Sequence, residues 1–325
     1  MRLENLPVGE SAGAILVHNV VGPDGHKVLS KGHLLRPEDL DKIRALGRET
    51  VYVGIPDPGD VREDAAAGRL AEGLAGEGID AGKPNSGRVN FFAARPGFLQ
   101  VNRIALDQIN ELAGVTLATI ARYTPLRPKK MIATLKTVGL AIPETTLQRA
   151  REIMDREGAV LSLSPVKHHL AAIVFTGSEN GRARVQEIFG PPIRGRLTEL
   201  GAQVIAESYA VEEVDAIAHA IRAALAAGAQ ILVLAGETSI MDEEDITPRA
   251  IRSAGGEIEL YGAPVEPGNL LLLAYCGGVP IVGAPGCVKS RETNVVDLIL
   301  PRLVAGDRVA SEDINALAEG GLLLG

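Results

Sequence analysis

Tryptophan is missing from this 325-residue chain and aromatic side chains make up 3% of it, so stacking platforms for single-stranded nucleic acid or sugar rings are poorly supplied. Cysteine is nearly as scarce. Cys276 and Cys287 are the two present, with no Cys-x-x-Cys or His-Cys cluster, which argues against structural zinc and for a reducing compartment, the cytoplasm. Long apolar runs are also lacking: the most apolar stretch, Asn269 to Gly283, is broken by Gly277, Gly278 and Pro280, and the start from Met1 to Val8 has no apolar core of signal-peptide length. No membrane span and no membrane partner are expected. The formal charge is −8, and the short Arg127-Pro-Lys-Lys130 is the one basic run that stands out, so nucleic acid is not an expected partner. An acidic chain that binds an anion must do so with local donors.

What is present suffices for two or three packed domains, since 46% of residues are hydrophobic and 23% charged. Residues 1–58 read as a small β-rich module. A strand passes through Ile15, Val17 and Val20, a turn falls at Gly22-Pro-Asp-Gly25, and a helix over Pro37–Leu46 stops at Gly47 before Thr50–Val53. Residues 59–165 read as a helix, Asp60–Ala75, followed by an α+β module. Ala81–Gly87 is the loop or linker candidate; strands are expected at Arg88–Ala94, Val115–Tyr123 and Lys130–Val138, and helices at Ile104–Leu112 and Glu144–Arg156. Residues 166–325 alternate short apolar strands, Leu170–Phe175, Gln203–Ala206, Gln230–Ala235, Asn269–Tyr275 and Val279–Gly283, with helices of which Val211–Ala227 is the clearest. That alternation predicts an α/β domain whose mostly parallel sheet is covered on both faces, and ligands of such sheets sit beyond the carboxyl ends of the strands.

Three strand-ending loops share one chemical character: Thr176-Gly-Ser-Glu-Asn-Gly181, Gly236-Glu-Thr-Ser239 with the acids Asp242, Glu243, Glu244 and Asp245, and Ala284-Pro-Gly-Cys-Val-Lys-Ser290. Each joins glycine to hydroxyls or amides that can donate to phosphate oxygens and leads toward a helix start. Thr247 and Pro248 read as an N-cap and first helical residue, and Ser290 as a cap for the helix running through Val295 and Ile299. A solvated acidic loop is the plain alternative for the four acids. Neither a Walker loop nor a dinucleotide Gly-x-Gly-x-x-Gly is present. Cys287 reads as a small packing residue; with Lys289 and Arg291 close by a lowered pKa is expected, and an activated thiol is the alternative.

The set Thr176-Gly-Ser-Glu179, Gly236-Glu-Thr-Ser239, Asp245-Ile-Thr-Pro248, Pro267-Gly268 and Pro280-Ile-Val-Gly-Ala-Pro-Gly286 resembles, in order and spacing, the molybdopterin-binding domain. That domain is shared by molybdopterin adenylyltransferase and molybdopterin molybdotransferase. Val28-Leu-Ser-Lys-Gly-His-Leu-Leu35 with Val51-Tyr-Val53 is similar to the segment preceding the domain in the molybdotransferases, and the whole chain resembles stand-alone bacterial molybdopterin-binding proteins. The resemblance implies a three-layer domain that binds molybdopterin, a phosphate-bearing pterin, in molybdenum cofactor biosynthesis. Its binding residues would be Thr176, Gly177, Ser178, Glu179, Gly236, Thr238, Ser239, Thr247, Pro285, Gly286, Lys289 and Ser290. Asp245, with Asp242, would be catalytic and hold Mg2+, with ATP and molybdate as co-substrates, a molybdoenzyme as recipient and a homo-oligomer as the assembly. Two departures stand out: Glu237 follows Gly236 where the family usually has a second glycine, and Glu212 and Glu213 occupy the place of an Asp in the adenylyltransferases. Adenylyl transfer, molybdate insertion, a non-catalytic carrier and a nucleotide-derivative hydrolase of the same domain all remain open.

Overall fold

The computed structural model describes residues 1–238 and 240–323, so the expectation for Ser239 lies outside the described residues. The chain divides into two compact units, Met1–Leu163 and Ser164–Gly325. Among the described residues no helix is long and apolar enough to cross a membrane.

The first unit holds two cores. One lies under an antiparallel sheet in which Thr50–Ile55 is flanked by Arg2–Pro7 and Ile15–Leu16; the Arg2–Pro7 strand carries too little apolar alternation to be read from sequence. The helix Pro37–Ala45 lays Leu40 and Ile43 on this sheet against Leu16, Val51 and Val53, as its 3.6-residue spacing requires. The other core lies under a four-stranded sheet ordered Val115–Thr119, Met131–Thr137, Arg88–Ala93, Ile79–Ala81, packed by the helices Glu63–Leu74, Arg103–Asn110 and Glu144–Glu157. The segment read as a loop or linker is a loop, and it connects the two strands of a hairpin: Ile79–Ala81 pairs antiparallel with Arg88–Ala93. The strand expected to reach Tyr123 stops at Thr119.

The second unit is a six-stranded sheet with helices. Its elements are β1 (Leu170–Gly177), α1 (Arg182–Glu199), β2 (Gln203–Val211), α2 (Val214–Ala226), β3 (Ile231–Gly236), α3 (Ile246–Ser253), β4 (Glu257–Tyr261), β5 (Leu272–Cys276), β6 (Val279–Gly283) and α4 (Val295–Val304). The strand order is β2-β1-β3-β6-β5-β4. β2, β1, β3 and β6 are parallel neighbours, whereas β5 and β4 run antiparallel to the strands beside them. The antiparallel pair has a local cause: only Gly277 and Gly278 separate β5 from β6, and both take positive φ, the turn that folds a chain straight back. The edge strand β4 escapes a hydrophobic reading because Glu257 and Glu259 interrupt it.

Burial on both faces follows the two-residue period of the strands. Ala172 and Val174 of β1 and Leu232 and Leu234 of β3 pack with Ile217 and Ile221 of α2 and with Ala250 and Ile251 of α3. The alternate residues Ala171, Ile173, Phe175, Ile231 and Val233 are as deeply buried, on the face opposite α2 and α3. The registers Thr176↔Gly236 and Leu234↔Gly283 put the carboxyl ends of β1, β3 and β6 on one edge of the sheet, with Gly283 ending β6 beside Leu234, short of the Gly236 that ends β3, so their three loops leave the sheet from neighbouring strands.

Candidate functional site

The first two loops are joined by Glu237. Its N–H donates to the Thr176 carbonyl at 2.9 Å, which turns its side chain back over the end of β1. There Oε2 accepts from both the N–H and the hydroxyl of Ser178, at 3.1 and 3.0 Å. These two Ser178 donors, aided more weakly by Arg184, hold the Glu237 carboxyl below the usual carboxylate range. Gly236 permits the approach, because a Cβ there would collide with the Thr176 hydroxyl. Tyr209 closes the rim by donating its hydroxyl to the Ser178 carbonyl at 2.5 Å, with the Arg182 guanidinium over its ring at 5.2 Å. Burial, together with Glu237 and Glu212, pushes that phenol upward.

Two of the hydroxyls expected to meet ligand phosphate are thus committed to carboxylates. Ser178 serves Glu237, and Thr238 donates to Glu212 Oε1 at 2.5 Å. Thr176 lies buried at the strand end, Gly177 sits beneath Tyr209 and Glu237, and Glu179 is exposed.

Asp245 stands at the start of α3 and caps it. Oδ1 accepts from the Ile246 N–H at 2.7 Å and Oδ2 from the Met241 N–H at 3.1 Å. The cap is therefore Asp245 and not Thr247, which lies inside the helix, with Pro248 one residue further on; a carboxylate at this position satisfies the first N–H groups and complements the helix dipole. Asp242 makes a smaller turn, accepting from the Glu244 N–H at 2.8 Å, and its carbonyl accepts from the Asp245 N–H at 3.2 Å. Among the described residues no group of three or more His, Cys, Asp or Glu could hold a metal ion.

The third loop passes from Pro285 into the short 3-10 turn Gly286–Lys289. The sequence places Ser290 as the cap of α4, but Asn294 fills that role: Asn294 Oδ1 accepts from the Val296 N–H at 3.0 Å while Asp297 Oδ2 accepts from the Asn294 N–H at 2.9 Å. Ser290 Oγ accepts from the Glu292 N–H at 3.1 Å. Lys289 is exposed. Burial raises the Cys287 thiol, with Glu266 adding to it, and this outweighs the nearby Arg196; the expected lowering is overturned. Arg196, in α1, was not singled out from sequence. Its nearly buried guanidinium donates to the carbonyls of Val288, Ser290 and Glu292 at 2.9, 2.9 and 3.2 Å and pairs with Asp297. The spacing Asn294-x-x-Asp297 is a capping-box pattern from which the α4 start was legible.

A mostly parallel sheet whose three neighbouring strands β1, β3 and β6 end in glycine-bearing loops on one edge defines an α/β domain with a ligand edge. Residues 172–305 match the family described as the probable molybdopterin binding domain, so the resemblance carried by the motifs holds for this segment. Residues 5–54 match a domain of unknown function (DUF8806). Similar solved structures include the MoaB molybdopterin biosynthesis enzyme of Thermus thermophilus, 23% identical over 42% of this chain and 97% of that one, TM-score 0.33. The CinA protein of Thermoplasma acidophilum is 20% identical over 42% of this chain and 98% of that one, TM-score 0.31. The molybdopterin biosynthesis MoeA protein of Pyrococcus horikosii is 13% identical over 93% and 75%, TM-score 0.32. Likeness at this level carries nothing about activity. No curated protein matches the chain.

Proposed function

We propose that the second unit binds molybdopterin through its terminal phosphate, at the edge formed by the loops after β1, β3 and β6, and that the protein serves molybdenum cofactor biosynthesis as a binding protein that holds the pterin. The observation that carries this reading is the pair of Ser178 donors converging on one anionic oxygen at 3.1 and 3.0 Å, inside the segment that matches the molybdopterin-binding family. Donors that satisfy a carboxylate oxygen suit a phosphate oxygen. Ser178, Thr238 and neighbouring loop N–H groups would hold the phosphate, with Lys289 adding charge at the rim.

Adenylyl transfer or molybdate insertion is the second reading, favoured by the placing of Asp242 and Asp245 in the loop after β3. Both oxygens of Asp245 and one of Asp242 already accept a backbone N–H, and among the described residues no cluster of three or more metal-ligating side chains gathers there, so these carboxylates fit Mg2+ poorly as they stand. Incubating the purified protein with molybdopterin, then analysing products after adding ATP, Mg2+ and molybdate, tests both. A stoichiometric pterin complex without turnover supports the binding role; AMP-linked or molybdenum-loaded product supports the transferase; no pterin complex refutes both.

A further inference from the structure

Ser178 turns its N–H and its hydroxyl toward one oxygen, Oε2 of Glu237, and the chain is shaped around that oxygen. A Cβ on Gly181 would come within 2.6 Å of it and one on Gly177 within 3.1 Å. The second carboxylate oxygen faces Arg184 at 3.9 Å, on a side chain that is 75% exposed and free to follow it outward. Glu212 stands in the same rim, held by Thr238, the residue that follows Glu237. The place an incoming phosphate oxygen would take is therefore filled by the chain's own carboxylate.

We infer that Glu237 is a tethered occupant of this anion cradle and the residue that sets its selectivity: a ligand engages Ser178 only by displacing Glu237, which then closes the 3.9 Å gap to the Arg184 it already faces. The inference rests on the reading of this edge as phosphate-binding and adds the rule by which ligands are chosen. A tethered carboxylate competes at an effective concentration of roughly millimolar or more. A free monocarboxylate brings the same charge and the same acceptor oxygens, so it cannot win. A phosphate monoester dianion brings a second charge and a third acceptor oxygen, and it can. Once displaced, Glu237 beside that dianion is repelled unless a cation answers it, and Arg184 is the cation within reach.

The test uses the full chain, with inorganic phosphate and acetate as probes followed by calorimetry and by the Ser178 amide resonance. Without any ligand, Glu237→Gln should shift that resonance, because the charged acceptor is gone. Phosphate should bind about tenfold or more tightly to Glu237→Gln and Glu237→Ala than to the natural chain, and acetate should bind only to Glu237→Ala. Arg184→Ala should weaken phosphate binding in the natural background and much less in the Glu237→Gln background. An unmoved Ser178 resonance, or equal phosphate affinity in all three chains, overturns the inference; equal losses from Arg184→Ala in both backgrounds overturn the transfer to Arg184. Phosphate gains without any molybdopterin binding would leave the cradle standing and refute the pterin reading, whereas molybdopterin binding with no gain in Glu237→Gln does the reverse.

Discussion

Arg196 and Asp297 form a two-pronged ion pair, Nε to Oδ1 at 2.8 Å and Nη2 to Oδ2 at 3.1 Å, that fastens the loop after β6 to the start of α4. One guanidinium thereby satisfies three loop carbonyls, and its carboxylate partner completes the capping box that Asn294 opens at the start of α4. The loop that supplies Pro285, Gly286 and Lys289 to the ligand edge is held by an arginine from a different helix, so its shape is set before any ligand arrives.

Arg196→Lys should show this directly. Lysine offers a point charge on a flexible stem and cannot reproduce the planar fork, so several carbonyls and Asp297 lose their donor. The unfolding free energy of the second unit is expected to fall by roughly 2–4 kcal/mol in urea titrations, with faster amide exchange at Ser290 and Glu292. A loss within about 0.5 kcal/mol would mean that the pair adds nothing beyond a surface contact.

Asn294→Ala should lower stability by about 1–2 kcal/mol, since Asn294 is completely buried and its side chain takes the Val296 N–H. Asn294→Asp keeps the acceptor and the cap but sets a second carboxylate beside Asp297, so it should fall between the two. An Ala variant as stable as the natural chain in the same titration would place the cap elsewhere.

Capping and chemistry can be separated at Asp245, because asparagine is as good an N-cap as aspartate but carries no charge. Asp245→Asn is expected to keep the unfolding free energy within about 0.5 kcal/mol and pterin affinity within a few-fold, while Asp245→Ala loses about 1 kcal/mol. Equal and large losses of stability in both variants would show that the charge itself holds α3.

Much of the second unit was legible because its signals are local. The apolar runs beginning at Leu170 and Gln230, the helical stripe through Ile217 and Ile221 and the glycine-bearing loops all report on their own neighbourhoods, and the structure keeps them. What stayed hidden depends on partners distant in sequence. Nothing beside Arg196 announces Asp297, 101 residues away, and nothing beside Glu237 announces that its partner is Ser178 rather than solvent. Residue type alone points to Thr247 and Ser290 as caps, yet Asp245 and Asn294 fill those places because their own side chains reach the free N–H groups. Cys287 was judged by its charged neighbours in sequence, and burial, which sequence does not display, reversed the sign.

That reversal has a chemical consequence. A thiol raised by desolvation has less thiolate at neutral pH than an ordinary cysteine, and thiolate is the reacting form. Cys287 should react with iodoacetamide at pH 7.5 more slowly than a free-cysteine peptide, its rate still rising above pH 9. Mapping the alkylated peptides by mass spectrometry over time gives the rate for each site, and faster-than-peptide labelling of Cys287 would restore the activated-thiol reading.

The first unit offers a prediction in pH. Asp39 is 3% exposed and accepts from Lys42 Nζ at 2.9 Å and from the Arg36 N–H at 3.2 Å, with His33 Nε2 at 2.7 Å. The His33 contact, then Lys42, holds its carboxyl far below the usual range despite burial, which acts the other way. A carboxyl depressed by folding binds its proton less readily in the folded state than in the unfolded chain, so its stabilisation is complete above the unfolded value of about 4 and drains away as pH falls through the folded one. Urea unfolding should therefore show stability dropping steeply with acid below about pH 4, and Asp39→Asn should flatten that slope while lowering stability at pH 7 by roughly 1–3 kcal/mol. The two chains should converge in acid, where the natural carboxyl is protonated and resembles the amide. Parallel curves at every pH would show that Asp39 acts through packing alone and that the His33 and Lys42 contacts do not stabilise its charge.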